Sequence, residues 1–242
     1  MKPRSKSLFH FTSKYEYLVD ILANGFWPRY CLEDIEWLGF AGDKEIAFPM
    51  VCFCDIPLGR IQYHRKIYGS YGIGISRDWG VKNDVSPVRY VNRNSAVAKL
   101  YKSISDSAHQ LKNPVERDEF IKIQQQLTPW SKPSSGVMKR GSDEFILDFY
   151  QESEWRHVPI PSYIRDTTFV HPERVKAYND SMRDNHLLRF SFSDVNYIFV
   201  QSSIEISNLY DKLYEISRGN ADLEFKRIVS RIISLDEYLA DF

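Results

Sequence analysis

The chain has 242 residues, with 32 basic and 32 acidic side chains and 43 % hydrophobic residues. A formal charge of zero excludes a protein whose whole surface coats DNA or an anionic membrane, because both need a strong basic excess. With 15 Phe, 15 Tyr and 5 Trp the chain is too aromatic for disorder, and its length suits one large domain or two small ones. The longest apolar run, Ile46 to Cys54, contains Pro49 and is too short to span a bilayer. The basic start MKPRSKSLFH has no apolar segment behind it and reads as no signal peptide. Three cysteines, an odd and sparse set, fit a reducing cytoplasm.

Leu8 to Phe11 reads as a short strand, and a helix follows. Thr12 or Ser13 is placed to cap it, with Glu16 at capping-box spacing from Ser13. Tyr17, Leu18, Ile21 and Leu22 recur at helical spacing until Asn24-Gly25 closes the helix. Phe48 to Asp55 is a β-like run stopped by Pro57, and Ile61 to Ile67 suits one or two helical turns. Tyr71 to Ser76 alternates with glycine at 72 and 74, a strand with one bare face that lets a backbone or ligand lie close. Pro87 to Val91 reads as a further strand.

Residues 94–126 are polar and helical, with a start signal at Asn113-Pro114-Val115-Glu116. Residues 128–142 concentrate Pro, Ser and Gly and read as a loop. Strands return at Phe145–Tyr150, around Trp155–Val158 and at Val195–Gln201. Ser202 with Glu205 announces a helix through Leu209, Leu213 and Ile216. Residues 225–233 fit either period, and Ser234 with Glu237 starts a last short helix. Strands in both halves with helices between them predict an α+β fold with a largely antiparallel sheet.

The neutral total hides an asymmetry. Residues 56–102 hold nine basic side chains against Asp78 and Asp84, either a solvated basic face or a surface for phosphates. Cys52 and Cys54, one residue apart on a strand, lack the paired-knuckle spacing of zinc sites and read as buried thiols, so no metal is expected. Gly72 and Gly74 lack the third glycine of a dinucleotide fingerprint. Glu152 and Glu154, read as extended, share one face, and such close carboxylates repel unless a cation compensates. Arg156 is the neutralising partner in reach. His10 and Thr12 stand in the same relation near the start.

Residues 8–34, 49–80, 150–158 and 189–206 resemble the AbiGi family of bacterial abortive phage-infection proteins, described as antitoxins, most specifically in the block PMVCFCDIPL. A looser similarity joins three short motifs to ADP-ribosyltransferases: His10 and Thr12 on a first strand, Cys52-Phe53-Cys54-Asp55 followed by Tyr63, and Glu152-Ser153-Glu154. Cys52 stands where those enzymes carry an aromatic residue.

The resemblance implies a single ADP-ribosyltransferase-like domain over residues 1–242, with a split, mostly antiparallel sheet, flanking helices and a helical insertion at about 94–142. It implies NAD as substrate, with Glu154 stabilising an oxocarbenium-like centre and Glu152 orienting the acceptor. His10 and Thr12 would orient the adenosine-side ribose, Arg29 or the basic 60–77 stretch would meet the pyrophosphate, and Tyr63, with Phe53 or Tyr71, would stack on the nicotinamide. The function implied is a cytoplasmic anti-phage protein that uses NAD to modify a protein or nucleic acid, or that destroys NAD as a glycohydrolase. The alternative is a non-catalytic antitoxin or phage-sensing module on the same fold. Expected partners are a cognate toxin or antitoxin, a phage protein, or nucleic acid on residues 60–102, with no membrane.

Overall fold

A computed structural model describes residues 5–38, 44–140, 143–159, 164–165 and 171–240. In chain order the strands are β1 (Ser7–Thr12), β2 (Arg29–Asp34), β3 (Glu45–Cys54), β4 (Tyr71–Ser76), β5 (Ser86–Pro87), β6 (Arg89–Val91), β7 (Ser131–Pro133), β8 (Gly136–Arg140), β9 (Asp143–Leu147), β10 (Glu154–His157), β11 (Ile164–Arg165), β12 (Val195–Val200) and β13 (Ile232–Ser234). The helices are α1 (Tyr15–Asn24), α2 (Ile61–Tyr68), α3 (Arg77–Lys82), α4 (Ala96–His109), α5 (Pro114–Leu127), α6 (Pro172–Asn185), α7 (Ile204–Ile216), α8 (Leu223–Val229) and α9 (Leu235–Ala240). The expected α+β character and mainly antiparallel pairing are both present. None of the helices among the described residues is long and apolar enough to cross a membrane.

The chain divides into two compact units. The first comprises residues 1–27, 52–85 and 187–242; the second comprises residues 28–51 and 86–186.

In the first unit β1 lies antiparallel to β4 along its whole length, from Ser7 opposite Ser76 to Thr12 opposite Tyr71. β12 flanks the other side of β4 antiparallel, and β13 joins β12 in parallel. The end of β3 meets β1 with Phe9 opposite Cys54. One core gathers Phe9, Cys54, Ile56, Ile61, Phe199 and Leu235. The bare face of β4 is filled from within. A Cβ on Gly72 would come 2.8 Å from the His10 carbonyl oxygen and 2.9 Å from the Phe11 ring. On Gly74 it would come 2.8 Å from Phe9 and 2.9 Å from Tyr197. Of the two uses open to that face, close approach by the protein's own groups is the one found.

In the second unit β2 runs antiparallel to β3, from Arg29 opposite Met50 to Asp34 opposite Glu45. β11 pairs with β3 as well, Ile164 standing opposite Ala47, and β10 pairs antiparallel with β5. β6 and β7 form a parallel pair, and β8 with β9 an antiparallel hairpin. Helix α6 packs on β2, where the Asn179 side chain accepts the Tyr30 amide at 2.8 Å.

Several local expectations need correction. Thr12 is still paired with Tyr71 in β1, so α1 begins later, after Lys14, with no side-chain cap. The polar stretch 94–126 is helical as expected, in two helices, and the Asn113 side chain caps the second, accepting the Val115 amide at 3.0 Å. The run 128–142, expected as a loop, contains β7 and β8, because Ser131 to Pro133 finds a parallel partner in β6. The strand expected from Pro87 to Val91 breaks at Val88, whose amide donates to the Glu154 carbonyl at 2.9 Å. The doubtful tail resolves into α8 followed by β13.

Candidate functional site

The strongest concentration of buried charge lies in the second unit. Glu154 and Arg156 alternate along β10 and therefore share a face. Arg156 exposes none of its surface, and Glu154 only 8 %. The guanidinium takes Glu154 with two parallel bonds, Nε to Oε1 at 2.8 Å and Nη2 to Oε2 at 3.0 Å. Its Nη2 also donates to Glu33 Oε1 at 2.9 Å, and its Nη1 to the Pro129 carbonyl at 2.6 Å. Lys132, from β7, donates to Glu154 Oε2 at 3.1 Å and to Glu152 Oε2 at 2.8 Å, and its ammonium lies 4.4 Å from the centre of the Phe149 ring. The Tyr90 hydroxyl accepts the Glu154 amide at 2.8 Å. The charges thus alternate in a chain: Glu33, Arg156, Glu154, Lys132, Glu152.

The sequence reading of Glu152 and Glu154 as neighbours on one extended face is corrected here. Residues Phe149–Glu152 form a 3-10 turn, and Ser153 takes the left-handed conformation at φ +46°. The two carboxylates meet because both reach the same ammonium, not because a strand aligns them. Arg156 does stand beside Glu154 as its cationic partner.

Electrostatics follow from burial and pairing. Burial pushes the Glu33 carboxyl above the usual range, and Glu154 adds to this, while Arg156 and Lys132 pull the other way. Burial opposes the charge on Lys132, but Glu154, Glu33 and Glu152 together hold its ammonium well above its ordinary value. Tyr90 is raised by burial first and by the Glu154 charge second.

The first unit holds most of the other residues named from the sequence. His10 Nδ1 lies 2.8 Å from the Cys52 carbonyl oxygen. A carbonyl only accepts, so Nδ1 carries the hydrogen and, in the neutral ring, Nε2 carries the lone pair. The imidazole meets Phe26 and Phe53 edge-on, at 5.2 and 5.9 Å between ring centres. Burial lowers its basicity, opposed in part by the bond to Cys52. Thr12 faces Tyr71 across β1 and β4. The Tyr71 hydroxyl donates to Glu205 Oε1 at 2.7 Å, and burial with this bond pushes its pKa up to about 12. Tyr63, on α2, is 60 % exposed, whereas Phe53 is buried. His10 with Phe53, and Thr12 with Tyr71, are therefore brought together. Arg29 belongs to the second unit, exposed at the start of β2. Among the described residues no group of three or more His, Cys, Asp and Glu side chains is placed to hold a metal ion.

The basic stretch is partly neutralised by its own chain. Arg65 pairs with Asp236 and Arg77 with the buried Asp55 in the first unit, and Arg93 reaches Asp34 at 2.6 Å in the second. Sequence reasoning missed Glu33, Lys132 and Tyr90. Lys132 sits in a Pro- and Ser-rich run, and Glu33 lies far from β10 in sequence; only the parallel pairing of β6 with β7 brings Lys132 to the site.

These features describe a mixed α+β protein with a dry, ion-paired carboxylate centre in one unit and an aromatic-lined histidine in the other. Residues 24–201 match the family described as "Putative abortive phage resistance protein AbiGi, antitoxin". The chain belongs to the AbiGi family. It is similar to the "Abortive phage resistance protein AbiGi" of Lactococcus lactis subsp. cremoris, 29 % identical over 247 residues that cover 90 % of this chain and 99 % of that protein. No solved structure matches the chain.

Proposed function

We propose that the chain acts in anti-phage defence as the antitoxin of an abortive-infection pair, holding a cognate toxin by association in the bacterial cytoplasm. The family description names an antitoxin, and the related Lactococcus protein is named for phage resistance. The observation that carries the binding reading over the enzymatic one is the state of Glu154. Both of its oxygens are committed to cations, Oε1 to Arg156 and Oε2 to Arg156 and Lys132. A carboxylate that stabilises a developing oxocarbenium must face the sugar with charge to spare. Here that charge is already offset, and the group is withdrawn from solvent.

The competing reading, an NAD-dependent ADP-ribosyltransferase with Glu154, Glu152, His10 and Tyr63 at its site, makes the opposite prediction in one experiment. The chain is co-expressed with a candidate cognate toxin, and the purified protein is offered NAD. Tyr63 is exposed, so Tyr63→Ala should fold normally. Association predicts neutralisation by wild type and by Tyr63→Ala, with no NAD consumed. NAD turnover that falls about a hundredfold in folded Glu154→Gln would overturn it in favour of the transferase.

A further inference from the structure

Within the second unit, β6 and β7 pair in parallel, from Arg89 opposite Ser131 to Val91 opposite Pro133, so the chain between them must return to its starting end. The helices α4 and α5 make that return as a hairpin over residues 95–127. Its base is fastened on both sides. The Tyr90 hydroxyl accepts the Glu154 amide, and the Lys132 ammonium reaches Glu152 and Glu154. The Pro129 carbonyl, just past α5, accepts Arg156 Nη1 at 2.6 Å.

The hairpin itself is loosely seated. A surface helix is ordinarily held by a stripe of large apolar side chains turned inward. Here the buried positions are Ala98, Ser105 and Ala108 on α4, and Gln124 and Gln125 on α5. Val97, Leu100 and Ile104 on α4, and Phe120, Ile123 and Leu127 on α5, are exposed and add little to the seat. Tyr101 is its main fastening. Its ring meets Trp37 edge-on at 5.7 Å, and its hydroxyl lies 3.2 Å from Arg89 Nη1 and 3.1 Å from Ser131 Oγ. Two polar atoms beneath the hairpin, Gln124 Oε1 and Trp130 Nε1, are buried with no hydrogen-bond partner among the described residues. The Gln124 amide makes one long bond, from Nε2 to the Tyr101 carbonyl at 3.3 Å. A buried acceptor or donor without a partner is more stable in water, so these groups resist closure of the hairpin over them.

We propose that residues 95–127 form a lid that opens as one unit while β6, β7 and the ion-paired centre stay folded. The hinges are the turn at 92–94, before the Ser95 cap, and Thr128, between α5 and the anchored Pro129. Opening returns Gln124 Oε1 and the Trp130 N–H to water. It also uncovers Trp37 and Leu38, on which α4 packs and which are only 9 % and 1 % exposed when the lid is shut. Burial of those two side chains keeps the closed state the major one. The lid is independent of the antitoxin reading, since it concerns the second unit alone.

The experiment is native-state hydrogen exchange of the full chain, read by mass spectrometry of its peptides. Amides of α4 and α5 should share one opening equilibrium, at least about a hundredfold more open than that of β2 and β10. Peptides of β6 and β7 should exchange with β2 and β10, not with the hairpin. Tyr101→Phe keeps the ring against Trp37 and removes the hydroxyl, and should speed hairpin exchange about fivefold. Gln124→Met removes the unpartnered oxygen at similar volume, and should slow it about fivefold. Neither variant should move β2 or β10. Helices protected as strongly as β2 and β10 overturn the lid, as do helices that open at separate levels or together with β6 and β7. Hairpin exchange that neither variant moves, or that Gln124→Met speeds, overturns it equally.

Discussion

Arg156 and Glu154 stand two residues apart on one strand and are joined by two parallel hydrogen bonds, at 2.8 and 3.0 Å, with the guanidinium wholly enclosed. A bidentate pair of this kind is rigid as well as strong, and removing either half leaves a buried charge without its counter-ion. Arg156→Met should therefore destabilise the second unit by about 3–5 kcal/mol, read from urea unfolding. Arg156→Lys should rescue little, because an ammonium cannot reach Glu154, Glu33 and the Pro129 carbonyl with one planar fork. A loss under about 1 kcal/mol for Arg156→Met would mean that the cluster carries little of the unit's stability.

Glu33 and His10 pull stability in opposite directions with pH. The folded Glu33 carboxyl is raised above its unfolded value, so its contribution is full in acid and is lost as pH rises through the folded value. Glu33→Gln should remove that alkaline loss. Unfolding midpoints followed above pH ~4.3, the ordinary glutamate value, should flatten in the variant.

The folded His10 imidazole is lowered by burial. Its stabilisation is present above pH ~6.5 and falls as the pH drops through the folded value, where the partly buried ring must take a charge. Imidazole resonances followed by NMR should show His10 neutral at a pH where exposed histidines are protonated. His10 titrating with the exposed rings would contradict the enclosure by Phe26 and Phe53.

Gly74→Ala places a methyl group against Phe9 and Tyr197, at 2.8 and 2.9 Å before relaxation. Rings can shift, so the expected cost is about 1–3 kcal/mol of overpacking. Gly69→Ala should be worse, because its φ is +112° and the added carbon meets the Thr12 backbone at 2.4 Å. Thermal unfolding of the two variants side by side checks the order.

Binding of duplex DNA or RNA to residues 60–102 should be weak and nearly flat with salt. Arg65, Arg77 and Arg93 are already paired with Asp236, Asp55 and Asp34, which leaves fewer cations to release counter-ions. A steep salt slope in fluorescence anisotropy would restore the nucleic-acid interface.

Much of the fold was legible where the signal is local. The Asn113 cap, the β4 alternation, the helix after Ser202 and Glu205, and Arg156 as the partner of Glu154 can all be read within a few residues. What could not be read depends on pairing at long range. β7 looks like a loop because its Pro and Ser content hides a parallel contact with β6. The turn at Ser153 requires a left-handed non-glycine residue, for which the sequence gives no cue. Lys132 reaches Glu154 from 22 positions away in sequence, and Glu33 reaches Arg156 from 123, beyond any motif spacing. The inverted character of α5 is visible in sequence as Phe120, Ile123 and Leu127, yet only the structure shows that this stripe faces outward.

The order of segments also sets a schedule for synthesis. Every residue of the second unit has been made once His186 is added, while the first unit still waits for residues 187–242 to supply β12 and β13. On the ribosome, chains fold unit by unit as their parts emerge. During that interval β1 and β4 have each other but β4 lacks its second neighbour, so its far edge is open to pairing with another nascent chain. A nonsense codon just after His186 should accordingly yield a chain that aggregates through the open edge of β4 although every strand of its second unit is present, whereas removing the first residues leaves β4 without β1 from the outset.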